Sequence, residues 1–173
     1  LENSCSGLAP FGTTGEALSI SSAERMAALE GLIDEGIHPE VIIPGTGLCN
    51  LPETIEISRH AVELGCAGVM TLPPFYFKAL GDDGYFEYFE LLVEGIDNNN
   101  LKIYLFYISQ VSGVALSIEL VKRLREACPQ TIVGIKDSSG NRDNTAQLSD
   151  IDGLILYPGF ELCVIEFIQR GGP

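Results

Sequence analysis

Apolar residues fall along the chain in two alternating rhythms. Short runs at 7–11, 41–44, 67–72, 101–108, 131–135 and 153–157 have the length of buried strands. Between them apolar residues recur at three- and four-residue spacing, the period of a helix face. Ser21-Ser22-Ala23-Glu24 predicts a helix start, because a serine hydroxyl accepts from a free amide three residues on while the glutamate reaches back. Met26, Leu29 and Ile33 continue it as a stripe, and Gly36 is placed to end it. The same grammar repeats with Pro52 in a first turn, Ile55 and Val62 on one face and Gly65 as a stop. A third helix is expected over about 83–95, turning Phe86, Phe89, Leu92 and Val93 toward a sheet. Ser117 caps a fourth, with Leu120, Val121, Leu124 and Ala127 on its buried side. Two shorter ones are expected at 144–149 and 161–170, and residues 97–100 form a turn.

Strand-like runs alternating with helices imply right-handed βαβ units and a parallel sheet of six strands. An open, doubly wound sheet gathers its site at one switch point, whereas a (β/α)8 barrel draws site residues from the ends of many strands. Polar or glycine-rich clusters follow almost every run here, at 12–16, 45–47, 73–78, 109–113, 136–140 and Gly159. That distribution favours the barrel.

Composition narrows the function. With 173 residues and a formal net charge of −14, phosphate backbones and anionic membrane surfaces are not expected partners. No apolar run approaches the roughly 18–20 residues of a membrane span. The five cysteines are widely spaced and form no C-x-x-C pair, so reduced thiols in a cytoplasm are expected rather than a disulfide framework or a zinc cluster. His38 and His60 have no paired ligand at suitable spacing, so no metal is expected.

Lys136 carries the most chemistry. It is one of four lysines and closes the apolar run before the turn Asp137-Ser138-Ser139-Gly140. Burial at a strand end disfavours the ammonium and leaves a fraction as free amine, which can attack a ketone to form a Schiff base. The iminium then serves as an electron sink for making or breaking a carbon–carbon bond. The same position also suits a lysine that snorkels to solvent and pairs with Asp137, and position alone does not choose between the two. Gly12-Thr13-Thr14-Gly15-Glu16 offers hydroxyls and amides to a carboxylate, although taken alone it also fits an ordinary turn. It matches neither a Walker loop nor G-x-G-x-x-G.

Taken together, GTTGE at 12–16, GTG at 45–47, PPFYF at 73–77, LFYISQVSG at 105–113, GIKDSSG at 134–140 and YPG at 157–159 resemble the dihydrodipicolinate synthase / N-acetylneuraminate lyase family. These are pyruvate-dependent class I aldolases on a (β/α)8 barrel. The resemblance implies Lys136 as the Schiff-base nucleophile, and Thr13 with Thr14 as groups that bind the substrate carboxylate and pass protons. It implies Tyr76 as a catalytic tyrosine reaching a neighbouring subunit's site, hence a homo-oligomer, and Gly159 beside the bound substrate. The family's proton-shuttling tyrosine aligns with Phe106, which has no hydroxyl. Tyr107 is the neighbouring candidate for that catalytic role but needs a bulge or slip to reach the same face. Tyr104 has the right parity but lies deeper, and Ser109 replaces the family's usual proline.

Where dihydrodipicolinate synthases place an arginine, Val111 stands, so the expected reaction is a lyase or aldolase acting on a 2-oxo acid or sugar acid rather than lysine biosynthesis. The resemblance further implies an α/β fold that is a partial (β/α)8 TIM barrel, a single truncated domain over 1–173 holding the family's strands two to seven. A complete barrel typically has roughly 250 residues. Such lysine chemistry needs no cofactor, and nothing in the chain marks a partner for the pyridine nitrogen or phosphate of pyridoxal phosphate. Two other readings compete: a catalytically impaired barrel piece that only binds an oxo acid or assembles with other chains, and a phosphate-binding barrel.

Overall fold

The computed structural model describes residues 5–169, apart from the side chains of residues 161–163 and 166. Strands β1 (Val69–Thr71), β2 (Ile103–Tyr107), β3 (Ile132–Asp137) and β4 (Ile155–Pro158) form one sheet in chain order, each pair parallel. Around them run α1 (Ser22–Asp34), α2 (Leu51–Glu63), α3 (Gly81–Ile96), α4 (Ser109–Ser112), α5 (Ile118–Ala127), α6 (Arg142–Ser149) and α7 (Glu161–Gln169). No helix among the described residues is long and apolar enough to cross a membrane.

Among the described residues four strands form where six were expected. The first two runs extend the sheet only by isolated parallel bridges, Leu8 with Ile42 and Gly45 with Met70. Pro10 and Pro44 explain the interruption, since each lacks the N–H that a continuous ladder needs. Their carbonyls still accept, from Gly45 N and Met70 N respectively, both at 2.8 Å. The segments therefore lie beside β1 in the expected order without strand geometry of their own.

The helix starts follow the sequence closely. Ser21 accepts from Glu24 N while the Glu24 carboxylate accepts from Ser21 N, completing the capping box, and Ser117 accepts from Leu120 N. α1 and α2 stop just before Gly36 and Gly65 as expected. α3 runs past Gly95 to Ile96, and Arg59 of α2 donates to the carbonyls of Gly95 and Ile96, supplying the partners that a helix end leaves unsatisfied. Ala127, expected in the core, is exposed, and α4 was not expected at all.

The two faces of the sheet differ. Ile103, Leu105, Ile132, Ile135 and Leu156 join one apolar cluster with Leu29 of α1, Ala61 of α2, Phe89 and Leu92 of α3, Leu120 and Leu124 of α5 and Leu148 of α6. Each leucine, isoleucine and phenylalanine among them contributes about 1.5–3 kcal/mol on full burial. Met70, Tyr104, Lys136 and Tyr157 instead line a cavity on the opposite face.

Candidate functional site

Pairing register decides which side chains meet on that inner face. Ile103 pairs with Ile132 but Tyr104 pairs with Gly134, so Val133 is accommodated as a bulge in β3. Beyond it Phe106 stands opposite Lys136, Tyr107 opposite Asp137, and Lys136 opposite Tyr157. Alternate residues of a strand point to opposite faces, so Phe106, Lys136 and Tyr157 form one inner row. Tyr107 belongs to the outer row, where it packs against the apolar cluster and its carbonyl accepts from Ser138 N at 2.7 Å. A bulge exists, as a role for Tyr107 required, but it lies upstream and leaves Phe106, not Tyr107, beside the lysine.

Lys136 is half-buried, and its Nζ lies 4.8 Å from the centroid of the Phe106 ring. Burial pulls its ammonium below the ordinary lysine value, because the charged form loses hydration. The ring face attracts a cation and acts in the opposite sense to that desolvation. Pairing with Asp137 does not occur. Asp137 is 2% exposed, and its carboxylate accepts from Ser139 N at 2.9 Å, Asn144 Nδ2 at 3.3 Å and Thr145 Oγ1 at 2.6 Å, all on the helix side.

The threonine loop is built to be held in place. Phe11 and Glu16 adopt left-handed conformations with φ of 60° and 51°, which cost roughly 1–2 kcal/mol each in a residue with a β-carbon. The Arg25 side chain, buried in α1, donates to the carbonyls of Ala17 and Ile20 and anchors the far end. Gly45 fits under the loop because a β-carbon there would collide with the Phe11 carbonyl. Next to it Thr46 Oγ1 accepts from Ser58 Oγ at 2.8 Å and shares a hydrogen bond with Thr71 Oγ1 at 3.1 Å, a buried hydroxyl chain.

Two cavities border this region. One, of about 310 Å³, is lined by Phe11, Thr13, Gly45, Phe106, Val111 and other residues; the second, of about 400 Å³, includes Tyr104, Lys136 and Tyr157. Thr13 and Lys136 thus line different cavities, with Met70 bordering both and the Phe106 ring linking the lysine to the threonine side. Thr14 is exposed on the loop. Gly159, exposed at the end of β4, donates its N–H to the Asp137 carbonyl at 2.7 Å. Tyr76 is 76% exposed and meets Phe77 edge-on at 5.5 Å, apart from either cavity lining.

Comparison with known proteins adds what geometry leaves open. The family model described as the dihydrodipicolinate synthetase family matches residues 1–173. The chain belongs to this family. An uncharacterized DapA-like lyase of Chloroflexus aurantiacus is 35% identical over 144 residues, which are 83% of this chain and 48% of that protein. The crystal structure of dihydrodipicolinate synthase from Agrobacterium tumefaciens superimposes with a TM-score of 0.94 at 35% identity, over 99% of this chain and 60% of that one. YagE of Escherichia coli K12, a family protein solved in complex with pyruvate, superimposes at 0.86 with 26% identity, over 99% of this chain and 57% of that one. The chain therefore spans about half to three-fifths of the length of these family members.

Sequence reasoning missed Tyr157, Arg25 and the Thr46–Ser58–Thr71 hydroxyls. Tyr157 was legible in part, because it stands two residues before Gly159 in a run whose parity could have been counted. Arg25 gave no signal, since a surface arginine and a buried loop anchor read alike in a helix.

Proposed function

We propose that this chain is part of a Schiff-base-forming aldolase or lyase that makes or cleaves a carbon–carbon bond through pyruvate or a related 2-oxo acid. The observation that carries the reading is the Lys136 amine, half-buried on the inner face of β3 and pulled below its ordinary pKa by burial. Family membership and the pyruvate bound by YagE point the same way. In this reading the inner face is a segment of a (β/α)8 barrel wall over residues 1–173, with helices outside and chemistry inside. Helices packed on one face only, with cavities on the other, support it.

Thr13 and Thr14 bind the substrate carboxylate, and Gly159 lies beside the bound substrate, its missing β-carbon making room for the Ser138 side chain. Val111, exposed at the rim of the threonine cavity, offers no charge to a second carboxylate, which favours a sugar acid or hydroxy-oxo acid over an amino-acid precursor. Exposed Tyr76, with Phe77, serves a contact with a second copy of the chain. A reducing, cytoplasmic setting agrees with the free thiols of Cys49, Cys66 and Cys128.

Incubation with pyruvate and borohydride tests the reading. A mass adduct mapping to Lys136 is expected. No adduct in a folded sample, or one that persists in Lys136→Ala, overturns it.

A further inference from the structure

Imine chemistry at Lys136 needs a group that moves protons, and the register row that holds the lysine has Phe106 on one side and Tyr157 on the other. Phe106 has nothing to donate or accept. We propose that Tyr157 is the catalytic proton-transfer residue of the Lys136 reaction, an inference that rests on the Schiff-base reading above.

The cavity that Lys136 lines contains few other candidates. Its polar and titratable members are Ser6, Glu40, Tyr104, Lys136 and Tyr157. Glu40 lies in the turn that precedes Ile42, and Ser6 precedes Leu8 at the same end, several rows below the lysine. Glu40 also faces the exposed His38, Nδ1 to Oε2 at 3.6 Å. Tyr104 stands opposite Gly134, one inward position deeper, about 6.5–7 Å along the strand. Its ring occupies the space that Gly134 leaves, since a β-carbon there would lie 2.6 Å from the ring. The Tyr104 and Tyr157 ring centroids are 5.7 Å apart, so the deeper tyrosine supports the flank of the upper one. Tyr157 is 45% exposed, open to substrate, and its Cα neighbours that of Lys136 across the β3–β4 pair.

The steps balance with one phenol. Nζ attacks the ketone carbon, a C–N bond forms and the C=O π pair moves to oxygen. Tyr157 gives its proton to that oxygen and takes one from nitrogen. It then protonates the hydroxyl, which leaves as water with the C–O pair, and the nitrogen lone pair closes the iminium beside a phenolate. The phenolate removes a proton from the carbon next to the iminium, so that the C–H pair becomes the enamine C=C and the iminium π pair returns to nitrogen.

Exchange of pyruvate methyl protons in deuterated water, followed by NMR on the full chain, reads the last step directly. Tyr157→Phe is expected to slow exchange by about 100-fold or more, in the range of a lost general acid–base group. Trapping of the imine at Lys136 should slow as well, because the same phenol serves its formation, while a urea midpoint matching the parent certifies the fold. Tyr104→Phe should cost less than about 10-fold, as a neighbour that supports rather than transfers. Exchange in Tyr157→Phe within about threefold of the parent overturns the proposal, as does a larger loss in Tyr104→Phe than in Tyr157→Phe. Absence of an adduct in the unsubstituted chain is a separate failure, that of the Schiff-base reading itself.

Discussion

Lys136 and Asp137 are consecutive residues of one strand, both charged in water and both withdrawn from it, yet their surroundings are opposite. Asp137 faces the helices and has a full set of donors from Ser139, Asn144 and Thr145. Lys136 faces a cavity and has an aromatic ring below its ammonium. A buried charge with a complete hydrogen-bond shell holds structure together, because losing any partner leaves the others unpaired. A half-buried charge without such a shell shifts toward its neutral form, and for an amine the neutral form is the nucleophile. One strand therefore carries a structural face and, in the proposed reading, a reactive face, separated by a single residue.

Substitutions at the two positions should separate these roles. Lys136→Ala is expected to abolish the pyruvate adduct completely while leaving the urea midpoint near that of the parent, because the removed group holds no other element. A large fall in stability would show that Lys136 is structural after all. Asp137→Ala should do the reverse, lowering stability by about 3 kcal/mol as three donors lose a buried acceptor. Urea denaturation measures this, and an unchanged midpoint would erase the contrast. Thr145→Val removes one bond of that shell, Thr145 Oγ1 to Asp137 at 2.6 Å, and should cost about 1 kcal/mol by the same measurement.

The smallest effect is in pH. Lys136 binds its proton less tightly when folded, so between its lowered value and the ordinary lysine value of about 10.4 the unfolded chain holds more protons. Its contribution to stability therefore rises with pH across that window and is absent above it as a pH-dependent term. The rate of adduct formation should follow the free amine and level off below pH of about 10.4. A midpoint at or above that value would place the lysine in ordinary solvent.

Much of the outer face was legible in the sequence because its signals are local. Ser21 with Glu24 and Ser117 cap within their own turns, so they read the same in a peptide as in the fold. Lys136 was legible as the charged end of an apolar run. Strand count was not, because Pro10 and Pro44 lie in runs whose apolarity suggests strands while their backbones cannot sustain one. The inner row was least legible. It depends on the bulge at Val133, a pairing fact between distant segments that no spacing within 131–137 announces. Tyr107, the neighbour by sequence, lost its expected place to that register, and Tyr157 acquired a place at the lysine from the next strand.

The bulge also sets how the chain tolerates change over generations. Replacing Val133 alters one partly buried side chain, a local disturbance that neighbours can absorb. Deleting it removes only the extra residue of the bulge, since Ile132 can still stand opposite Ile103 and Gly134 opposite Tyr104; deleting Ile135 instead turns the lysine over into the oily layer. Lineages of this chain should accordingly drift at position 133 in residue type and even in its presence, but keep the length of the segment from Gly134 to Asp137 unaltered.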